Sequence, residues 1–72
     1  MKVKYVFSRG IYEDFDLALS ALKDGLLSNN PNISISEVLH DLQQVVLHCE
    51  DEDTLRDLDE LVSRYDLEWS ES

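Results

Sequence analysis

Apolar and polar positions change their spacing several times along the chain, and each change marks an element. "VKYVFS" (Val3–Ser8) alternates and is rich in Val, Tyr and Phe, which predicts a strand that "RG" brings to an end. From Glu13 to about Ser28 the period lengthens: Phe15, Leu19, Leu22 and Leu26 recur at spacings of four, three and four, with Ala18 and Ala21 beside them. That is one face of a helix. Asp14 is placed to cap its start, and "NNPN" stops it, because Pro31 disfavours helical geometry in the residue before it. Gly25 lies inside the pattern and weakens the last turn by about 1 kcal/mol of propensity.

The middle of the chain, "NISISEVLHDLQQVVLHCE", admits two readings. In one it forms two strands, Ile33–His40 and Gln44–Glu50, joined around "DLQQ". In the other it is a helix over residues 36–49, with Ser34 and Glu37 as a capping box and Val38, Leu42, Val45 and Cys49 on one stripe. The alternation of "ISIS" and the β-branched run in "VVLHC" favour strands. The missing Gly, Asn or Pro in the turn favours a helix. The strand reading is adopted; the helical one would make the chain a strand followed by three helices.

The tail is plainer. Asp51 or Asp53 caps a helix running to about Arg64, with Leu55, Leu58, Leu61, Val62 and Tyr65 as its buried stripe. "DLEWS" alternates Leu67 with Trp69 and predicts a short closing strand. "EDFDLALSAL" after the first strand is echoed by "EDTLRDLDEL" after the third. Strand–helix–strand written twice resembles the plan of a small ferredoxin-like βαββαβ α+β sandwich. The expected core is Val3, Tyr5 or Val6, Phe15, Leu19, Leu22, Ile35, Val46, Leu55, Leu58 and Val62.

Composition sets the scale. Seventy-two residues, 43% of them hydrophobic, predict a single domain over residues 1–72 with one small core. No uninterrupted apolar run, Val45–Leu47 included, exceeds three residues, so no membrane span is expected. "MKVKYVFSRG" has no small-residue cleavage site and does not read as a secretory signal. One cysteine cannot form an internal disulfide, which points to a reducing, cytoplasmic setting.

Charge changes the picture more. Residues 1–36 carry four acids and four bases; residues 37–72 carry twelve acids against Arg56 and Arg64, so the whole net charge of −10 belongs to the second half. Nucleic acid is excluded as a direct partner, because phosphate contacts need Lys and Arg to replace counterions. An anionic membrane surface is excluded for the same reason.

The acids concentrate in "HCEDEDTLRDLDEL", which holds seven carboxylates, one arginine and the only cysteine. Metal chemistry does not fit. Counted from Asp51, the glycine and glutamate positions of a calcium loop hold Arg56 and Val62, and His40, His48 and Cys49 lack the paired spacing of a zinc site. No metal or cofactor is expected. Catalysis fits little better: nothing near Cys49 supplies the positive field that activates a thiol, and a paired-carboxylate mechanism needs a pocket that separates two pKa values. Acylphosphatases share the predicted fold, and "SRGIYEDF" sets Arg9 and Gly10 after the first strand, but their glycine-rich phosphate cradle is absent. The expectation is that the chain is not an enzyme.

Helix energetics account for part of the acidity. Glu52–Arg56 and Glu60–Arg64 are (i, i+4) pairs in the better orientation, and Asp51, Glu52 and Asp53 favour the positive end of the helix. Asp57 and Asp59 gain nothing comparable. With Asp53 and Glu60 they predict an exposed stripe of like charge opposite Leu58, Leu61 and Val62, which Asp66, Glu68 and Glu71 extend. A field this one-sided costs stability and steers the molecule toward positive surfaces. The expected partner is a basic protein surface, that of a nucleic-acid-binding protein, bound through Asp53, Asp57, Asp59, Glu60, Asp66 and Glu68. Carboxylates about 5–6 Å apart along a helix imitate successive phosphates. In size and charge the chain resembles small acidic phage-encoded inhibitors of host defence, the anti-CRISPR and anti-restriction proteins, and that resemblance implies a nucleic-acid mimic. The alternative is a structural or adaptor subunit that forms a homodimer through its sheet, with acidity serving solubility.

Overall fold

A computed structural model of the chain describes residues 1–70. The elements follow the order β1 (Lys2–Phe7), α1 (Phe15–Leu22), β2 (Ile33–Leu39), β3 (Gln44–Cys49), α2 (Glu52–Ser63) and β4 (Leu67–Trp69). The strands form one antiparallel sheet in the order β2-β3-β1-β4. Four antiparallel strands with two helices make an α+β fold consistent with the small ferredoxin-like sandwich expected from the two strand–helix–strand halves.

The middle of the chain is a hairpin. A short 3₁₀ turn over His40–Leu42 leads into Gln43, which takes left-handed backbone angles of φ 51° and ψ 48°. This supplies the reversal that the sequence provides no glycine for, and the Gln43 carbonyl is held by the Phe7 N–H at 2.8 Å. Left-handed geometry costs a non-glycine residue about 1 kcal/mol. Gln43→Gly is therefore expected to stabilise the protein by up to about 1 kcal/mol, read as a higher midpoint in urea at unchanged slope.

Helix α1 starts where expected: Asp14 caps it, its carboxylate accepting the Leu17 N–H at 2.9 Å. Its end is looser than predicted. Over Lys23–Leu27 the backbone widens into a π-helical turn around Gly25, where an added Cβ would collide with the Tyr65 hydroxyl. Gly25 thus lets Tyr65, in the turn after the second helix, lie close against the first helical segment, and that close approach explains a glycine within a helical pattern. In α2 the cap is Asp51, whose carboxylate accepts the Thr54 N–H at 2.6 Å.

One face of the sheet is buried under both helices. Tyr5, Phe7, Ile33, Val45, Leu47, Cys49 and Leu67 pack there against Phe15, Ala18, Leu19, Leu22, Leu26, Leu58 and Val62. Two expectations for the core are corrected. Val46 is half-exposed and lies on the opposite face, because β3 turns Val45, Leu47 and Cys49 inward and groups Val46 with Gln44 and His48. Val3, Ile35 and Leu55 pack at the margin of the core and are only partly buried. The closing strand departs from simple alternation too. Leu67 is 1% exposed, whereas Trp69, two residues on and facing the same side, is 55% exposed at the outer edge.

Candidate functional site

The twelve residues of α2 hold five acids and one arginine. Leu58 and Val62 are fully buried and Leu61 half-buried, which fixes the rotation of the helix and turns Asp53, Asp57 and Glu60 to solvent. These three form the exposed stripe that the spacing predicts. Arg56 is not where it was expected: its guanidinium binds Asp53 at 3.0 Å, an (i, i+3) pair, and not Glu52. Both partners are mostly solvated, so the pair contributes little stability. It does neutralise the first carboxylate of the stripe, leaving Asp57 and Glu60 as its uncompensated centre. Among the described residues the only other ion pair joins His40 to Asp16 at 3.7 Å, so the expected Glu60–Arg64 pair is not formed.

The remaining acids do not extend the stripe. Asp59 faces a different flank of α2 and accepts a 2.6 Å hydrogen bond from the Tyr5 hydroxyl, which rises from the centre of the sheet. Asp66 is half-buried in a left-handed turn at φ 59°. Its carboxylate accepts the Tyr12 N–H at 2.6 Å, and its carbonyl accepts the Ser8 N–H at 2.7 Å. A Cβ on Gly10 would stand 2.6 Å from this carboxylate, so the glycine makes room for a side chain that pins the loop after β1. Glu68 is exposed but pairs with Val6, on the sheet face away from the helices. Glu71 lies outside the described residues. The six expected contact residues are thus divided over four places, and only Asp53, Asp57 and Glu60 share one.

The open sheet face carries Lys2, Lys4, Val6, Gln44, Val46 and His48 on its two central strands. Two of the four bases of the first half, Lys2 and Lys4, reside here, so the protein is electrically two-sided: acidic on the helix layer, mixed on the sheet. Cys49 is fully buried and its thiol donates weakly to the Asp51 carbonyl at 3.5 Å. His40 packs edge-on against Phe15, with ring centroids 5.8 Å apart. His48, the neighbour of Cys49 on β3, faces the opposite side of the sheet.

No family model, curated protein or solved structure matches the chain. Function must be argued from the site.

Two groups make folding stability depend on pH. Burial, then the hydrogen bond to Asp59 and the negative charge there, push the Tyr5 hydroxyl far above the ordinary tyrosine range. The Thr54 contacts, joined by the Asn32 amide at 2.8 Å, hold Asp51 below the usual carboxylate value. A raised tyrosine favours the fold below the unfolded tyrosine pKa, and that contribution declines once pH climbs past about 10 and the unfolded chain ionises. A lowered aspartate favours the fold above the unfolded carboxyl pKa, and that contribution is lost as pH falls below about 4. Thermal melts should accordingly show a loss at each end of the pH range. Tyr5→Phe is expected to flatten the alkaline limb alone.

Proposed function

We propose that the protein is a small acidic binding module whose exposed α2 face engages a basic surface of a nucleic-acid-binding protein, in the manner of a nucleic-acid mimic. The observation that carries this reading is the surface of α2 itself. Asp57 and Glu60 project to solvent three residues apart, with Asp53 one turn earlier, and Arg56 offsets only one of the three. Adjacent like charges on a helix repel. Nothing in the packing requires them, since the core face of α2 is complete with Leu58 and Val62. A basic groove built for phosphates would relieve the repulsion on binding. Asp66 and Glu68 are less suited to this role where they stand, the first being engaged within the fold and the second lying on the open sheet face, whereas Asp59 is held by Tyr5 through one carboxylate oxygen only. The proposal is for binding and not for catalysis, in a cytoplasmic setting where a free buried thiol is stable. An inhibitor of a host defence nuclease, of the phage anti-CRISPR or anti-restriction kind, is the sharpest form of it.

A second reading has its own support. The sheet face opposite the helices exposes Val6, Leu39 and Val46 in part, and no element among the described residues covers it, as an adaptor that dimerises through its sheet would require.

The two readings separate on salt. Immobilised protein is expected to retain nucleic-acid-binding proteins from host extract, to release them when duplex DNA is added, and to lose them steeply between about 50 and 200 mM salt, the range over which phosphate-like contacts weaken. Retention indifferent to both salt and DNA would instead indicate an apolar interface and favour the sheet-mediated dimer.

A further inference from the structure

The acidic face has an aromatic neighbour. Trp69 pairs with Tyr5 across β1 and β4, so the two side chains stand on the same, helix-side face of the sheet about 5 Å apart at their Cβ atoms. Tyr5 is 1% exposed and its hydroxyl ends on Asp59 Oδ1 at 2.6 Å; Trp69 is 55% exposed at the sheet edge. The indole is therefore next to the side chain that fixes Asp59. That hydrogen bond occupies one carboxylate oxygen and sets the orientation of the other, Oδ2, which has no partner among the described residues. Glu52, two helical turns before Asp59, lies on the same flank of α2. An exposed tryptophan on a hydrogen-bonded strand, beside a carboxylate already held in place, is a pre-ordered contact of the kind that dominates interface energetics.

We infer that Trp69 and Asp59 form a seat for one arginine side chain of the basic partner, the guanidinium stacking on the indole while its N–H groups pair with Asp59. The inference rests on the α2 reading above and names the group that reading left open. Charge selects the occupant: the flank offers the carboxylates of Glu52 and Asp59 and the exposed π face of Trp69. Shape selects arginine over lysine, since only a planar, delocalised cation satisfies ring and carboxylate together. The contact also explains why a closing strand of three residues ends on a large aromatic that the core does not bury.

The chain has a single tryptophan, so its emission reports this position directly. Titration of the intact protein at low salt with a hexa-arginine peptide should change Trp69 emission saturably. A hexa-lysine peptide of the same charge should bind about two- to fivefold more weakly. By calorimetry, Trp69→Phe should narrow the arginine preference and Trp69→Ala or Asp59→Asn should remove it, with circular dichroism confirming each fold. Equal affinity for the two peptides, or peptide binding that leaves Trp69 emission unchanged, overturns the seat. If that binding is still lost on reversing Asp57 and Glu60, the α2 reading survives without it. Failure of both peptides to bind overturns both.

Discussion

Leu58→Ala is expected to unfold the protein. Leu58 is fully buried at the centre of α2's inner face and belongs to the single cluster in which both helices meet the sheet. Truncating a leucine in such a place removes its transfer free energy and leaves a cavity the neighbours fill only in part, a loss of about 2–5 kcal/mol. A domain of this length holds a core that rarely supplies more than about 3–5 kcal/mol of net stability. The two quantities are of the same size. Circular dichroism should show loss of the cooperative thermal transition, and amide exchange should show protection lost throughout the sheet. A variant that melts like the parent would mean that α2 presents a different face to the sheet. In that case Asp57 and Glu60 would lose the exposure on which the proposed function depends.

The second large effect is on binding. Reversing both charges at the centre of the stripe, Asp57→Lys with Glu60→Lys, raises the net charge from −10 to −6, since each reversal adds two. Folding should be unimpaired or slightly improved, because both residues are exposed, make no ion pair in the fold, and repel neighbouring carboxylates. Binding to a basic partner should be abolished, because two lysines would then face a groove lined with cations, and like charges across an interface cost several kcal/mol. Measuring stability and binding on this one variant separates the two explanations of the acidity. A stable variant that binds as before would make the stripe a solvated surface, and would turn attention to the open sheet face. A stable variant that no longer binds makes α2 the interface.

Much of the architecture is set by local spacing that any reader of the chain can apply. The period of two in "VKYVF", the helical recurrence of Phe15, Leu19, Leu22 and Leu26, and the aspartates that cap both helices act over a few residues, and all reappear in the fold. So does the outward stripe of Asp53, Asp57 and Glu60, because burial of Leu58 and Val62 determines which side of α2 meets water. The inward phase of β3 was legible as well. Gln44 and His48 flank Val46 at spacings of two, so a polar face was already marked, and the apolar character of Val46 concealed it.

The remainder depended on partners far apart in the chain. Nothing near Gln43 announces a left-handed residue; the hairpin imposes it once β3 pairs with both β2 and β1. Nothing near Asp59 or Asp66 indicates that each is engaged by a residue 54 positions away, Tyr5 in one case and Tyr12 in the other. A carboxylate's role is set by which donor reaches it, and that donor arrives only when β1, its loop, α2 and β4 have assembled. The same holds for Trp69: the pattern places it on the helix side of β4, and only the sheet order leaves it at an edge where no helix covers it. Spacing along the chain therefore determined which side chains face inward and where the negative charge accumulates. Tertiary structure alone decided which of those charges remain free to meet a partner, because hydrogen bonds and burial are made between elements that the sequence keeps apart.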